Sequence, residues 1–142
     1  MSLFVDTSVW SLALRRDRPP DVPEVETLTR VLEGAAQVVT TGLVLQELLQ
    51  GFRGASAREQ IVSRFAALPL IVPDRDDHVA AADLRTSCRQ RGVQVGTIDA
   101  LIAQLCIRYE LTMLTTDADF ARIAEHHSLW VWPSAGPARQ SP

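Results

Sequence analysis

Residues 3–10 read LFVDTSVW, and this short stretch decides the fold. Its first three residues are apolar and bulky, which is typical of a buried β-strand, and the strand ends at Asp6. Thr7 or Ser8 then predicts the cap of a short helix that runs to about Leu14. A buried strand that leads directly into a helix is the repeating unit of a parallel α/β sheet.

The same alternation of strand and helix continues along the rest of the chain, which predicts the α/β class. The predicted strands cover residues 3–5, 38–40, 70–72, 113–115 and 129–132. The predicted helices cover residues 7–14, 23–32, 42–51, 56–67, 76–91, 97–109 and 119–126. These elements form one domain over residues 1–133, and the tail at 134–142, rich in Pro, Ser, Ala and Gly, is predicted to be disordered.

Length and composition limit the class of protein. The chain has 142 residues, which on a prior of roughly 100–200 residues per domain corresponds to one domain. No apolar run approaches the ~18 residues of a membrane span, and Asp6 interrupts the start where a signal peptide needs its apolar stretch. Cys88 and Cys106 are too few for a disulfide framework. We therefore expect a cytoplasmic protein with reduced thiols and no membrane partner.

The basic residues exclude several kinds of phosphate enzyme. All 14 of them are Arg, and the chain contains no Lys. A Walker-type P-loop, a protein kinase and Schiff-base catalysis on Lys are therefore excluded. The formal net charge of −3 argues against a nucleic-acid partner, because such proteins usually carry a basic footprint. That objection weakens if a bound cation neutralises several of the acids.

Four acids are predicted to lie at one edge of the sheet. Asp6 and Asp117 directly follow the first and fourth strands, and functional groups of open parallel sheets cluster at such strand ends. Glu47 lies on the helix after the second strand, and Asp99 lies in the first turn of a helix that Thr97 is predicted to cap. The helix N-terminus should keep Asp99 charged. Taken alone, each acid has an ordinary explanation as a helix cap, a dipole partner or a solvated residue.

Together, these acids would repel one another unless a cation lay among them. The basic residues do not obviously fill that position, so a metal ion is the natural occupant. Oxygen-only ligation favours a hard divalent ion such as Mg²⁺, with Mn²⁺ as a substitute, over Zn²⁺. Such a site predicts metal-assisted chemistry on a phosphate ester.

The acids lie in four segments, which read LFVDTSVW at 3–10, VLQE at 44–47, GTIDALIA at 96–103 and LTTDADF at 114–120. In this order and spacing the segments closely resemble the motifs of the PIN-domain family, and within it those of VapC-type toxins of type II toxin–antitoxin systems. The resemblance runs from about Leu3 to Trp132. It implies a three-layer α/β/α fold around a central, mainly parallel sheet of five strands.

The resemblance also implies an activity and a set of site residues. The matching positions for metal binding and catalysis are Asp6, Glu47, Asp99 and Asp117, with Asp119 as an auxiliary ligand acting through water. Members of the family are Mg²⁺- or Mn²⁺-dependent endoribonucleases, so we expect hydrolysis of phosphodiester bonds in structured RNA such as tRNA.

Residues beside these motifs are candidates for binding the substrate. Ser8 and Thr116 follow or precede the acids and are expected to hydrogen-bond RNA phosphate or bound water. Arg15 and Arg16 follow the first helix and are suited to bidentate contacts with phosphates. The alternative for the two arginines is a solvated loop.

The resemblance implies protein partners as well: a cognate VapB-type antitoxin, a second copy of the chain in a homodimer, and a toxin–antitoxin hetero-oligomer. The helices at 42–51 and 56–67, with the residue that follows the first of them, offer apolar side chains for an amphipathic antitoxin segment. These side chains are Leu45, Leu48, Leu49, Phe52, Ile61, Val62 and Phe65. The alternative is that they pack inward or form the homodimer contact.

Other interpretations remain open at this point. A PIN nuclease of RNA processing would carry the same acids, although the single-domain length favours a toxin. A catalytically silent PIN-like binding module predicts loss of the acids, and all four are present. A haloacid-dehalogenase-like phosphotransferase is a poor match, because Ser8 stands where its second Asp is needed and the required Lys is absent.

Overall fold

The structure is a computed structural model that describes residues 2–15 and 22–133. Its strands within those residues are β1 (Ser2–Val5), β2 (Gln37–Thr41), β3 (Leu70–Ile71), β4 (Thr112–Leu114) and β5 (Trp130–Val131). Its helices are α1 (Thr7–Ala13), α2 (Pro23–Arg30), α3 (Gly42–Gly51), α4 (Ala55–Phe65), α5 (Arg75–Gln90), α6 (Thr97–Arg108) and α7 (Ala118–Ala124). A π-helical turn, Val31–Ala35, continues α2.

The five strands form one parallel sheet in the order β3-β2-β1-β4-β5, which confirms the predicted fold class. Strand β1 suits the central position because Leu3, Phe4 and Val5 are fully buried and apolar on both faces of the sheet. From β1 the chain builds outward to β3 and then returns to add β4 and β5 on the other side. The strand order therefore switches direction between β1 and β4.

Helices α1 to α6 form two groups, as a three-layer fold requires. Helix α1 contacts both α2 and α3, and α3 contacts α4, whereas α5 packs along α6. The first group connects strands that progress in one direction, and α5 and α6 make the return connection. Because parallel crossovers are right-handed, the two groups lie on opposite faces of the sheet.

The core takes in several apolar residues that the sequence offered to an antitoxin. Leu48, Ile61 and Phe65 are buried, and the ring of Phe65 packs against Trp10 with centroids 4.9 Å apart. Helices α3 and α4 pack together, and this contact places those side chains inside. Of the predicted set, Val62 is exposed, and the side chains that stay half-buried are Leu45, Leu49 and Phe52.

Two predicted helix caps are wrong. Helices α1 and α6 begin at Thr7 and Thr97 themselves, so that Asp6 and Gly96 occupy the cap positions without a side-chain capping bond. The hydroxyl of Thr7 instead donates to Glu47, a residue of another helix. The hydroxyl that the local sequence predicts as a helix cap therefore forms a tertiary hydrogen bond instead.

Other predictions concern the chain as a whole. No helix among residues 2–15 and 22–133 is long and apolar enough to cross a membrane, and α5, with 16 residues, is the longest of them. Cys88 and Cys106 are buried and free. Two predicted features lie outside the described residues, namely the RNA-binding Arg16 and the tail at 134–142.

Candidate active site

The candidate site lies where the strand order switches, at the carboxyl ends of β1 and β4. Asp6 follows β1, and its backbone N–H extends the ladder by donating to the carbonyl of Leu114 at 2.9 Å. Asp117 follows β4 by three residues and is the N-cap of α7. The crevice at such a switch point is the usual binding site in open α/β sheets. The parallel pairing of β1 with β4 thus brings the first and last of the predicted acids to one edge.

Two hydroxyl groups hold the carboxylate of Asp6, which is buried. Ser8 Oγ and Thr115 Oγ1 each donate a hydrogen bond of 2.8 Å to Asp6 Oδ2. Both hydroxyls also accept backbone hydrogen bonds, Ser8 from Thr116 at 3.1 Å and Thr115 from Asp117 at 2.9 Å. The pairing of β1 with β4 therefore continues beyond the strands as a polar network around one carboxylate.

Asp117 caps α7 as well as lying at the site. Its Oδ1 accepts a hydrogen bond of 2.9 Å from the backbone N–H of Asp119. This bond holds one carboxylate oxygen toward the helix, and the half-buried side chain keeps a second oxygen. The capping role that the sequence offered as an alternative explanation is present, and it does not remove Asp117 from the site.

Glu47 reaches the site from α3. The position of α3 is fixed at its start, where Thr41 Oγ1 accepts a hydrogen bond of 3.3 Å from the backbone N–H of Val44. Glu47 is exposed, and its Oε1 accepts a hydrogen bond of 2.8 Å from Thr7 Oγ1. A side chain from the start of α1, beside Asp6, therefore orients the carboxylate that α3 provides.

The pKa of Asp99 responds to the other acids of the site. Burial is the main cause that raises the pKa of Asp99 to about 6. Repulsion adds to this rise in the pKa, and it comes from four acids: Asp6, Asp117, Glu47 and Asp119. The predicted stabilisation of ionised Asp99 by the N-terminus of α6 is therefore outweighed. All of the predicted acids lie within electrostatic reach of Asp99.

The charges around the acids are only partly compensated. Of the ion pairs among the described residues, only that of Arg122 with Asp119 involves one of these acids, at 2.9 Å on the surface of α7. Burial, with a contribution from Asp6, raises the pKa of the Cys106 thiol, so Cys106 stays protonated and adds no soft ligand. The donor set therefore consists of carboxylate and hydroxyl oxygens, which suit a hard divalent cation.

The carboxylates are gathered without being in a ligating arrangement. Among the residues that the structure describes, no three His, Cys, Asp or Glu side chains form a group that could hold a metal ion as they stand. The fit to a divalent cation therefore rests on the chemistry of the oxygen donors and on the repulsion that raises the pKa of Asp99.

Comparison with known proteins agrees with this fold. The family model of the PIN domain matches residues 3–126. The chain belongs to the PIN-domain family. It is 32% identical to ribonuclease VapC11 of Mycobacterium tuberculosis over 124 residues, which cover 86% of this chain and 91% of the relative.

Solved structures share the fold of this PIN domain at lower identity. VapBC2 from Rickettsia felis, bound to a DNA fragment from its promoter, has a TM-score of 0.70 and 24% identity, covering 92% of this chain and 97% of that chain. VapC20 of Mycobacterium tuberculosis, described as a sarcin–ricin loop cleaving toxin, has a TM-score of 0.63 and 19% identity, covering 84% of this chain and 92% of that chain. At these identities the likeness establishes the fold.

The predicted substrate-binding residues of this PIN domain differ in their surroundings. Ser8 lies at the site, where its hydroxyl donates a hydrogen bond to Asp6. Thr116 is exposed beside it and donates its backbone N–H to Ser8. Arg15 is exposed just after α1, and Arg16 lies outside the described residues. The structure thus brings Ser8 and Thr116 to the acids, and RNA binding by all four residues stays a prediction.

Thr115 belongs to the site, although its place in the sequence does not indicate this. The residue ends a predicted strand, yet it is buried and contacts both Asp6 and the backbone of Asp117. The register pairs Val5 with Leu114, so that the next residues, Asp6 and Thr115, lie side by side. Knowledge of the register between β1 and β4 would have identified Thr115 as a neighbour of Asp6. That register depends on tertiary structure and cannot be predicted from the local sequence.

Proposed function

We propose that this PIN domain is a Mg²⁺-dependent endoribonuclease, with Mn²⁺ as a substitute, and that it is the toxin of a VapBC-type toxin–antitoxin pair. The observation that carries the proposal is the convergence of acids from separate elements at the switch point between β1 and β4, where burial, together with repulsion from the other acids, raises the pKa of Asp99 to about 6. Mutually repelling carboxylates are stabilised by a divalent cation. Holding them together at the mouth of the sheet without a cation costs stability, because like charges repel.

The residues that would hold the ion are Asp6, Glu47, Asp99 and Asp117, with Asp119 as an auxiliary ligand acting through water. When bound, a divalent ion supplies Lewis-acid stabilisation of a phosphate and a means of activating water at neutral pH. Ser8 and Thr115 orient Asp6, and Thr7 orients Glu47. The chain needs no Lys or His base for phosphodiester hydrolysis, and the expected products carry 5′-phosphate and 3′-hydroxyl ends.

RNA would approach the open edge of the sheet. Thr116 is exposed beside Ser8 and Asp6, and its hydroxyl is suited to a phosphate oxygen. Arg15 is exposed just after α1, and we propose that it contacts phosphates of the RNA backbone together with Arg16, which lies outside the described residues. Structured RNA, such as tRNA, is the proposed class of substrate, and the naming of VapC20 as a sarcin–ricin loop cleaving toxin supports structured RNA for a protein of this fold.

The toxin role is supported by the relatives. VapC11 is a ribonuclease that aligns over nearly the whole chain, and VapBC2 is a toxin–antitoxin complex with the same fold. A toxin that cleaves cellular RNA must be held inactive in its own cell, and an antitoxin would do this. We propose a VapB-type antitoxin as this partner, and a homodimer that assembles with it into a hetero-oligomer.

A groove beside α4 is the proposed antitoxin surface. One part, of about 390 Å³, lies between Leu14, Phe52 and the first turn of α4. A more open part, of about 850 Å³, continues along α4 to Leu32 and Leu68, and the two parts share Ser56 and Gln60. An amphipathic antitoxin segment would place apolar anchors in such a groove. A basic antitoxin side chain that reached the acids would compete with the metal ion.

Cleavage of RNA by the purified protein tests the nuclease. Cleavage of tRNA and of a sarcin–ricin loop oligonucleotide is expected with Mg²⁺ or Mn²⁺, and none is expected after exhaustive chelation. The Asp6→Asn variant should be inactive, whereas Asp83→Asn, which changes an exposed acid of α5, should be active. Full cleavage after chelation would overturn the metal mechanism.

Expression in a bacterial host tests the toxin role separately. Growth should stop when the wild-type protein is induced and should recover when the product of a small adjacent gene is co-expressed. Normal growth despite active, folded nuclease would favour a role in RNA processing instead.

A further inference from the structure

The hydroxyl of Thr115 lies between two acids of the site. It donates a hydrogen bond of 2.8 Å to Asp6 Oδ2 and accepts a hydrogen bond of 2.9 Å from the backbone N–H of Asp117. Because a hydroxyl has one proton, the bond from Asp117 leaves that proton for Asp6. One side chain therefore sets the carboxylate of Asp6 and the backbone from which the Asp117 carboxylate projects.

Ser8 completes the arrangement from the other strand end. It donates to the same Oδ2 at 2.8 Å, accepts the backbone N–H of Thr116 at 3.1 Å, and lies 3.4 Å from the hydroxyl of Thr115. Two hydroxyls thus occupy Oδ2 of Asp6. Among residues 2–15 and 22–133, no hydrogen bond reaches Oδ1 of Asp6, which leaves that oxygen for a cation.

We propose that Thr115 is a positioning residue of the metal site. It fixes the side-chain rotamer of Asp6 with Oδ1 free, and it ties the turn that carries Asp117 to that carboxylate. The proposal rests on the proposed function, since the cation is the reason that Asp6 and Asp117 must keep a common geometry. Partners behind metal ligands typically contribute about 10–100-fold in metal affinity.

Burial distinguishes Thr115 from an ordinary polar contact. The residue is only 7% exposed, so solvent cannot easily replace its hydroxyl if the hydroxyl is removed. The N–H of Asp117 would then lose its partner, and Oδ2 of Asp6 would lose one of two donors. Ser8 is half-buried and binds the backbone of Thr116, so it does not provide the same link to Asp117.

The experiment compares Thr115→Val, which removes the hydroxyl at nearly constant shape, with Thr115→Ser, which restores it. The matched control is Thr40→Val on β2, because Thr40 is fully buried and its hydroxyl has no hydrogen-bond partner among the described residues. Two quantities are measured on the folded full chain: the Mn²⁺ dissociation constant by calorimetry or electron paramagnetic resonance, and the hydrogen-exchange rate of the Asp117 amide by nuclear magnetic resonance.

We expect Thr115→Val to raise the Mn²⁺ dissociation constant by about tenfold or more and to speed exchange of the Asp117 amide. Thr115→Ser should return both quantities close to their wild-type values, and Thr40→Val should change neither. A merely structural role would lower the melting temperature without changing Mn²⁺ affinity. If Thr115→Val changed the melting temperature and left Mn²⁺ affinity at the wild-type value, the positioning role would be wrong.

Failure of the proposed function gives a different result. In that case the wild-type protein itself would neither bind Mn²⁺ nor cleave RNA, and the metal role of Thr115 would be overturned together with it. The amide measurement does not depend on metal or RNA. Unchanged exchange at Asp117 in Thr115→Val would overturn the bridge in either case.

Discussion

The hydroxyl of Thr7 donates a 2.8 Å hydrogen bond to Oε1 of Glu47, 40 positions further along the chain. Helix α1 thereby holds an exposed carboxylate that belongs to α3. Ordering a free glutamate side chain costs about 1.5–2 kcal/mol of rotamer entropy. Because the hydrogen bond already orders Glu47 in the folded protein, less of this entropy is lost when a ligand binds. Glu47 is therefore oriented in advance by the segment that also carries Asp6.

Thr7→Val should weaken the nuclease by freeing Glu47. We expect RNA cleavage at a limiting Mg²⁺ concentration to fall about tenfold, because an unheld ligand binds the ion less tightly. Excess Mg²⁺ should restore part of the rate, and Thr7→Ser should restore nearly all of it. The control is Thr86→Val, at an exposed position on α5. An equal rate for Thr7→Val and the wild type across the Mg²⁺ titration would show that the bond to Glu47 has no role in the reaction.

Asp6→Asn and Asp117→Asn should separate catalysis from folding. Each substitution keeps the shape of the side chain and an oxygen that can accept the hydrogen bonds of Ser8, Thr115 or Asp119. Cleavage should disappear because a charged ligand is lost. The apo proteins should melt at the wild-type temperature or higher, since repulsion at Asp99 decreases. Near-normal cleavage by Asp6→Asn would contradict the assignment of Asp6.

Asp99 should make both stability and metal binding depend on pH. Its folded-state pKa of about 6 lies above the ordinary value of 3.8, so between about pH 4 and 6 the folded protein holds a proton that the unfolded chain has lost. The contribution of Asp99 to the free energy of unfolding therefore falls as the pH rises through this window. Mn²⁺ must displace the same proton, so its affinity should fall as the pH drops below about 6.

Asp99→Asn should remove this contribution. Its melting temperature without metal should exceed that of the wild type at pH 7.5 by more than at pH 4.5, as scanning calorimetry at the two pH values would measure. Asp83→Asn is the control, because Asp83 is an exposed acid that is not among those acting on Asp99. A constant difference between Asp99→Asn and the wild type at both pH values would contradict the raised pKa.

Phe52→Asp should weaken the antitoxin complex. Phe52 lines the narrower part of the groove beside α4, so a charge there would oppose burial of an apolar anchor. RNA cleavage by the free protein should change little. Val62→Asp is the matched control, since Val62 is 40% exposed on α4 and does not line either part of the groove. Equal affinity of both variants for the antitoxin, with both folded, would place the antitoxin on another surface.

The fold class and the positions of the acids on their strands and helices could be predicted because both depend on short local signals. An apolar triplet followed by an acid marks the end of a buried strand, and this holds for Asp6 and, less directly, for Asp117. Burial of β1 on both faces follows from its unbroken apolar run. The elements that carry Glu47 and Asp99 were also predicted, although Thr97 does not cap α6.

What the sequence could not predict depends on contacts between distant elements. The role of Thr115 follows from the register of β1 on β4, and the role of Thr7 follows from the packing of α1 on α3. Leu48 was offered to a partner because its helix is apolar on more than one side, but contact with α4 buries it. Asp77 of α5 also has both a local and a distant partner. It closes a capping box with Asp74, and it forms an ion pair with Arg108 of α6.

The separation of Asp6 and Thr115 along the chain, 109 positions, has a consequence for synthesis. A ribosome releases β1 before β4, so a growing chain at first carries Asp6 with neither Thr115 nor Asp117 beside it. Pairing of strands so far apart is also a late event in folding, because a long loop must close first. We therefore expect a nascent chain to have no complete acidic site until β4 has been released and has paired with β1.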